Sequence, residues 1–456
     1  MEKQNHKPSP SGAALLPFLV FVIVYMATGI ILNSLGVEMA FYQVPAPVCI
    51  LPAIILAFLM FKGSVDDKFT DFVRGCGDEN IIIMCLIYIL AGAFATVSKE
   101  SGGVDSVVNF ALSIIPLQFI TGGIFLIGCF ISISTGTSVG TISTVGPIAV
   151  GLAQKGNLPM ALVLGSLVGG AMFGDNLSVI SDTTIAATRT QNVDMKDKFR
   201  ANIKMALPAA IITFVILLIV GKPEVLPALE DRPYNPVLII PYLFVLISAI
   251  AGMNVFLVLT SGIILSGIIG IATGGLDLMT FAQNIFTGFS GMFEIFLLSM
   301  LTGGLSYMVS KNGGIEWLVQ KIRGFAKGQK SAEVSIALLT LLTDSATANN
   351  TVAIIIDGPV AKEISNDFKI DPRRSAALLD TFSCVMQGII PYGAQILIAA
   401  GLTKELGANA VSPMELIPFL WYQGILAIFA IASIFVRYAD ISGEWDFEKD
   451  KLKEEN

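Results

Sequence analysis

Long apolar stretches separated by short polar segments run along nearly the whole chain. Several of them approach the roughly 20 residues that a helix needs to cross the hydrocarbon core of a bilayer. They lie at residues 13–32, 44–61, 81–97, 119–133, 203–220, 238–251, 255–272, 293–309 and 416–436. The pattern predicts an all-α polytopic membrane protein, surrounded by the lipid bilayer.

The second half of the chain resembles the first. The segment AFATVSKESGGVDSVVNFAL, ending at Leu112, returns as GLSYMVSKNGGIEWLVQKI, ending at Ile322. A Gly-Pro pair at 146–147 returns at 358–359. Internal repeats define architecture before any single motif does. In a membrane chain, two such halves often flank a transport site near the bilayer midplane.

Basic residues indicate that the two halves are inverted. Residues 104–118 carry no Lys or Arg, whereas the matching segment of the second copy carries Lys321, Arg323, Lys327 and Lys330. Two further pairs of matched loops show the same opposition. Because Lys and Arg of short loops stay in the cytoplasm, matched segments are expected on opposite faces of a cytoplasmic (inner) membrane. The same rule predicts that both termini are cytoplasmic.

The predicted organisation has five parts. They are a cytoplasmic amino-terminal tail at 1–12, a first inverted repeat at 13–220, a linker at 221–236, a second inverted repeat at 237–437 and a cytoplasmic carboxyl-terminal tail at 438–456. Each repeat is expected to contain a re-entrant hairpin and a broken transmembrane helix.

The composition of the chain excludes several classes of function. Hydrophobic residues make up 54% of the chain and charged residues 14%, against roughly 25% charged in soluble domains, which excludes a soluble enzyme. The net charge of −7 gives no indication of a nucleic-acid partner. No GxxxxGK[ST] phosphate loop occurs, so an ion gradient must supply the energy. We expect no enzymatic activity and no cofactor.

Two segments have the features of re-entrant hairpins, at 135–147 (TGTSVGTISTVGP) and 343–359 (TDSATANNTVAIIIDGP). Their apolar arms are short, and hydroxyl or amide residues cluster between the arms. Such oxygen atoms suit an alkali cation, and helix N-termini there could face an anion. The alternative is ordinary Ser/Thr packing between membrane helices. The candidate ligands are Thr137, Ser138, Asn349, Asn350 and Thr351.

Two long helices are predicted to be broken by Gly and Pro, at 169–184 and 378–395. Broken backbone is tolerated at membrane depth only where protein or a cavity covers it. The polar groups exposed there are Asp175, Asn176, Ser178, Asp182, Asp380 and Gln387. These side chains complete the candidate site.

Carboxylates within these segments are the candidates for ion coupling, because a membrane carboxylate must be paired with a cation or protonated. We rank Asp175 first, then Asp182, with Asp380 as a further candidate. The predicted sodium ligands are Asp175, Ser138 and Asn350. The only histidine, His6, lies in the amino-terminal tail, which excludes a histidine relay. Some intramembrane acids are alternatively structural groups bonded to Ser or Thr, namely Asp344, Asp357, Asp380 and Glu294.

The motifs GTSVGTISTVGP, from Gly136, and FGDNLSVISDTT, from Phe173, resemble those of the NhaC-type sodium/proton antiporters, within the ion transporter superfamily. The resemblance extends over nearly the whole chain. It implies paired re-entrant hairpins and broken helices, a homodimer and an elevator-like transport domain. The family pattern after Gly174 reads DKMSPLSDTT, so Asn176 replaces a lysine, which would leave room for another positive charge beside Asp175.

These observations predict a secondary transporter that exchanges sodium for protons. One alternative keeps the fold but carries a small amino acid or carboxylate together with sodium or protons. An intramembrane hydrolase using Asp175 and Asp182 belongs to another class, but it would not need hydroxyl-rich hairpins in both halves. A passive channel is the third alternative, and single-channel conductance would distinguish it from a carrier.

Overall fold

A computed structural model describes residues 9–35, 37, 43–114, 116–178, 181–222, 233–251, 253–441 and 445. Over these residues the chain is helical, with no strand. Six of the described helices are long and apolar enough to cross a membrane. A seventh span results if Pro413–Phe419 and Trp421–Val436, bent by 53°, count as one. The prediction of an all-α polytopic membrane protein is confirmed.

The first half of the described chain contains eleven α-helices, counting its short ones. They are α1 (Leu16–Ser34), α2 (Ala46–Cys49), α3 (Leu51–Met60), α4 (Val65–Cys76), α5 (Glu79–Glu100), α6 (Gly103–Ile114), α7 (Ile120–Thr135), α8 (Ser138–Lys155), α9 (Met160–Leu177), α10 (Asp182–Gln191) and α11 (Met195–Val220). Short 3₁₀ turns at Gly12–Leu15 and Leu117–Phe119 precede α1 and α7.

The second half of the described chain contains eleven more. They are α12 (Pro236–Ile250), α13 (Val255–Ala272), α14 (Leu278–Gly291), α15 (Phe293–Lys311), α16 (Gly314–Arg323), α17 (Gln329–Thr347), α18 (Asn350–Phe368), α19 (Pro372–Gln387), α20 (Ala394–Gly401), α21 (Pro413–Leu416) and α22 (Trp421–Val436). Further 3₁₀ turns lie at Lys404–Asn409 and Ile417–Phe419.

The order of helices repeats between the two halves. In each half a long helix (α5 or α15) and a short helix (α6 or α16) precede two arms joined at a break, α7 and α8 or α17 and α18. A helix interrupted near its end follows, as α9 and α10 or α19 and α20, and then a long apolar helix, α11 or α22. This order is the one expected of two repeats, and their opposite orientation stays a prediction.

The breaks between paired arms have the same backbone conformation in both halves. Gly136, directly after α7, has φ of 70°, and Ala348, directly after α17, has φ of 52°. Both residues are therefore left-handed, a conformation that glycine adopts freely and alanine does not. The repeated conformation turns the chain at matching places, where each second arm begins.

Helices α7 and α9 pack closely because small residues line their crossing. A side-chain carbon on Gly170 would clash with the backbone carbonyl oxygen of Phe125, and one on Gly174 would clash with Ser132. Small residues let helix backbones approach in membranes, where there is no hydrophobic force between helices. Helix α9 is buried from Leu162 onward, so its carboxyl-terminal break is shielded by protein.

The α7–α9 crossing generates a stability prediction. Gly170→Ala should destabilise the fold by about 1–3 kcal/mol, since the added methyl group forces the two backbones apart. The measurement is thermal unfolding of the detergent-solubilised protein. Gly123→Ala on α7 is the matched control, because nothing lies within 4 Å of its added carbon. Equal melting temperatures for the two variants would contradict the close packing.

Candidate functional site

A cavity of about 120 Å³ lies where both hairpin tips and both helix breaks meet. The first tip supplies Thr137 and Ser138, and the second supplies three neighbouring residues. The polar lining consists of Thr137, Ser138, Asp175, Ser181, Asp182, Thr183, Asn349, Asn350, Thr351, Gln387 and Gln395. Residues more than 200 positions apart in the sequence therefore line the same cavity. Ile83 and Ile87 of α5 add an apolar wall.

Some tip residues first serve to begin the helices. The side chain of Thr137 accepts a hydrogen bond from the amide of Gly140 (3.3 Å), and that of Asn349 accepts from the amide of Val352 (3.0 Å). Both are N-caps, which satisfy amides that have no partner within the helix. The caps place the N-termini of α8 and α18, with their partial positive charge, against the cavity.

Asp175 is the acid that the cavity encloses most completely, with 5% of its surface exposed. Its two carboxylate oxygens accept hydrogen bonds from the hydroxyls of Ser138 (2.7 Å) and Ser181 (2.5 Å). Among the described residues, no Lys, Arg or His forms an ion pair with it. Two neutral hydroxyls orient the carboxylate but leave its charge without a counter-ion.

A chain of hydrogen bonds connects Asp175 to the second half of the molecule. The Gln395 amide donates to the Ser138 hydroxyl (3.0 Å), and the Gln387 amide donates to the Gln395 side-chain oxygen (2.9 Å) and to the Ala348 carbonyl (3.3 Å). Each of the four interrupted segments contributes at least one group. The two hairpins and the two broken helices are thus held together by polar contacts at their breaks.

Two buried atoms in the lining, Gln387 Oε1 and Asn350 Nδ2, have no hydrogen-bond partner among the residues that the structure describes. Buried polar groups are nearly always hydrogen-bonded, so an unpaired one requires an explanation. The Gln387 oxygen is an acceptor suited to a cation, whereas the Asn350 nitrogen is a donor suited to an anion. The lining therefore offers unsatisfied groups of both kinds.

Asp182 begins α10 and is exposed. It lines the same cavity as Asp175. The position favours a negative charge, because the first turn of a helix carries partial positive charge. Asp182 is therefore the acid at the exposed edge of the cavity, and Asp175 is the acid buried within it.

Asp380 lies behind the cavity and forms an ion pair with Lys198 of α11, both fully buried. The same ammonium donates to the backbone carbonyl of Asn176 (2.5 Å) and to the hydroxyl of Thr184 (2.6 Å). Asn202 donates to the Asp380 carboxylate (3.0 Å). A buried pair with several further hydrogen bonds stabilises local structure rather than leaving a free carboxylate.

The sequence predicted room for another positive charge beside Asp175, because Asn176 replaces the family lysine. In the structure Lys198, on the neighbouring helix α11, bonds to the backbone carbonyl of Asn176. The Asn176 side chain itself accepts from Asn202 (2.5 Å). The ammonium forms its ion pair with Asp380, so among the described residues no cation pairs with Asp175.

Three of the predicted site residues stay outside the cavity lining, namely Asn176, Ser178 and Asp380. The hydroxyl of Ser178 donates to the carbonyl of Ile133 (2.8 Å), which ties the end of α9 to α7. These three residues form a supporting layer around the α9–α10 break. The other predicted residues line the cavity.

The remaining intramembrane acids have different partners. The hydroxyl of Thr343 donates a hydrogen bond to Asp357 (2.9 Å). This agrees with the alternative given above, in which Asp357 is a structural acid bonded to Ser or Thr. Glu294 instead pairs with Lys404 (2.5 Å). The carboxylate oxygens of Asp344 are buried and have no hydrogen-bond partner within the described ranges. None of these acids belongs to the lining described above.

Sequence reasoning missed six polar residues of the site and its support: Ser181, Thr183, Gln395, Thr184, Lys198 and Asn202. The first four lie within the two segments predicted to be broken helices, where hydroxyls and amides are common and do not single out one residue. Lys198 lies in a segment rich in basic residues, 189–204, and by charge alone it is typical of a cytoplasmic loop. Its spacing of four from Asn202, beside small residues such as Ala201, was the available signal for a buried helix face.

A larger cavity of about 380 Å³ lies near the carboxyl-terminal ends of α5 and α8. Its basic residues already have acidic partners: Lys155 pairs with Asp105 (2.5 Å) and Lys99 with Glu405 (3.6 Å). These pairs are partly exposed to solvent. The smaller cavity is the better candidate because it encloses a carboxylate without a counter-ion.

Comparison with known proteins places the chain among transporters. The model of the Na⁺/H⁺ antiporter family matches residues 12–222 and 231–436. The Na⁺/H⁺ antiporter NhaC of Bacillus subtilis (strain 168) is 25% identical and covers 96% of this chain and 100% of its own. The malate-2H⁺/Na⁺-lactate antiporter of the same organism is 22% identical, with coverages of 93% and 96%.

A solved structure, the YdaH transporter of Alcanivorax borkumensis, aligns with a TM-score of 0.42 at 15% identity. The alignment covers 92% of this chain and 98% of that chain.

The Lys198–Asp380 pair generates a second stability prediction. Asp380→Asn should destabilise the protein by about 3–5 kcal/mol, because it leaves a buried ammonium without its counter-ion. Thermal unfolding in detergent measures the effect. The control is Glu294→Gln, whose partly exposed pair with Lys404 should contribute no more than about 1 kcal/mol. A loss at Glu294 equal to that at Asp380 would refute the assignment.

Proposed function

The chain belongs to the Na⁺/H⁺ antiporter family, and from this premise we propose that it exchanges sodium ions for protons at the cavity around Asp175. The observation that carries the proposal is the state of this carboxylate, which is buried and whose hydrogen-bond partners, within the described part of the chain, are the hydroxyls of Ser138 and Ser181. In a membrane such a group must be neutralised by a cation or a proton. One carboxylate that holds either of them, but not both, exchanges them.

The predicted sodium ligands are Asp175, Ser138 and Asn350. Carboxylate, hydroxyl and amide oxygens are hard ligands of the kind that alkali cations prefer. The unpaired Oε1 of Gln387 supports a further oxygen contact. Thr137, Asn349 and Thr351 are further polar residues of the lining. Asp182, at the exposed edge, is the second carboxylate through which the ion or the proton would pass.

The transport cycle we propose uses the repeated architecture. The matched order of helices in the two halves supports two inverted repeats, at 13–220 and 237–437. Folds of this kind alternate access by moving one part against another around a fixed site. The family resemblance implies a homodimer with an elevator-like movement. We place the protein in the cytoplasmic membrane with both termini inside, as the distribution of basic residues predicts.

A second candidate is transport of a small carboxylate or amino acid, coupled to sodium or protons. The unpaired Nδ2 of Asn350 and the helix N-termini at the cavity favour a solute with a carboxylate group. One relative is named as an antiporter of malate and lactate. Sodium-dependent uptake of labelled organic acids and amino acids distinguishes this candidate. Thermal stabilisation by one such solute, without an effect of sodium alone, would favour it.

Purified protein in proteoliposomes should acidify or alkalinise the lumen when a sodium gradient is imposed. Asp175→Asn should abolish this response, because the amide has no negative charge and cannot take up a proton in exchange for sodium. A pH-sensitive dye inside the vesicles provides the measurement. Asp105→Asn is the control, since Asp105 pairs with Lys155 at an exposed position and should retain exchange.

Two outcomes would contradict these assignments. No pH response with folded wild-type protein refutes sodium/proton exchange. If the Asp175→Asn variant exchanged sodium for protons as fast as wild type, the assignment of the site would be refuted, but sodium/proton exchange would not.

The Ser181 hydroxyl provides a finer test. Ser181→Ala should weaken the apparent sodium affinity roughly 10-fold, because a hydrogen bond to a charged group contributes about 1.5–3 kcal/mol. The measurement is the sodium concentration for half-maximal exchange. Ser98→Ala removes a buried hydroxyl that bonds to Ser266, away from the cavity, and should leave the affinity unchanged. Equal effects of both substitutions would show that Ser181 acts only through stability.

A further inference from the structure

The ammonium of Lys198 occupies an unusual place for a lysine. It lies on α11 with 1% of its side chain exposed, and its contacts are all with oxygen atoms. They are the carboxylate of Asp380, the backbone carbonyl of Asn176 (2.5 Å) and the hydroxyl of Thr184 (2.6 Å). Lysine normally keeps its charged end in water, so this arrangement requires a specific reason.

The three oxygens have the composition of a site for a monovalent cation. Asn176 lies in the last turn of α9, where backbone carbonyls have no partner within the helix and carry partial negative charge. In transporters with broken helices, carbonyls at such half-helix ends coordinate sodium. A carboxylate and a hydroxyl complete a hard oxygen set. The lysine amine is bound where a free cation would otherwise fit.

We propose that the Lys198 ammonium is a tethered cation that fills a second cation-binding position, so that the protein binds a single sodium ion, at Asp175. The proposal rests on the sodium-binding function proposed above. When the amine is removed, Asp380, Thr184 and the Asn176 carbonyl become available and bind a second sodium ion. Lys198 thereby determines how many sodium ions each chain carries.

The two positions are separate but adjacent. Asn176, Thr184, Lys198 and Asp380 are not part of the lining of the Asp175 cavity, although Asn176 directly follows Asp175. Asn202 connects the Asn176 side chain with Asp380 (2.5 and 3.0 Å). The Lys198–Asp380 pair is neutral as a whole, whereas Asp175 has no cationic partner among the described residues. Of these two positions, the Asp175 carboxylate is therefore the one whose charge is left for a mobile cation.

The test is the number of sodium ions bound by the purified full chain, measured by equilibrium dialysis with ²²Na⁺. Wild type should bind about one ion per chain and Lys198→Met about two, since the half-helix carbonyl and Asp380 become free to coordinate sodium. The double variant Lys198→Met/Asp380→Asn should return to about one, because the second carboxylate is gone. Lys204→Met is the matched control on the same helix, since its ammonium bonds to the Asp440 carbonyl (2.6 Å).

Each outcome bears on the proposal. A folded Lys198→Met variant that binds the same number of ions as wild type overturns it and makes Lys198 a positioning residue. Two ions bound by wild type overturn it without any variant. Lys198→Gln replaces Lys198→Met if the methionine variant does not fold.

The result also distinguishes this proposal from the function proposed above. No sodium bound by wild type, together with no exchange in vesicles, refutes sodium/proton exchange. A single site that appears only in Lys198→Met would still support the tethered cation.

Discussion

The structure depends on how the backbone N–H and C=O groups at the helix breaks find hydrogen-bond partners inside the membrane. Backbone groups at a break have no water to bond with, so protein must supply their partners. Here side chains of the broken helices supply them: Gln387 bonds to the Ala348 carbonyl at the second hairpin tip, and Ser178 bonds to the Ile133 carbonyl near the first. Gln395 in addition bonds to the Ser138 hydroxyl of the opposite half. The same contacts that make the breaks tolerable bring the four segments around one cavity. Stability of the fold and formation of the site therefore have the same cause.

Partners, rather than depth in the membrane, distinguish the buried acids. Asp380 is bound by an ammonium. Asp357 has a hydroxyl donor from its own hairpin and does not line the cavity. Asp175 has hydroxyl donors, which orient a carboxylate without neutralising it. In a medium of low polarity the difference between an ion pair and hydroxyl donors is large. It separates an acid that holds the structure from an acid that can exchange its counter-ion.

The hydroxyl-rich motifs have two roles that cannot be separated by composition. Thr137 and Asn349 cap the helices that begin at the tips, and Thr144 and Thr347 bond back to carbonyls of their own helices. Among the described hydroxyls of the two hairpin motifs, that of Ser138 is the one that bonds to the Asp175 carboxylate. Capping is what directs the helix N-termini at the cavity. The structural and the chemical roles are therefore complementary.

The sequence alone predicted the helical membrane fold, the repeated order of segments and the places where helices break, because apolar length, Gly and Pro act locally. It also selected most of the residues that meet in the cavity. It did not reveal that Lys198 turns inward to Asp380, or that Gln395 connects Ser138 with Gln387. Those contacts join residues far apart in the chain, and no local pattern records which helices become neighbours. Tertiary packing alone decided which carboxylate received a counter-charge and which did not.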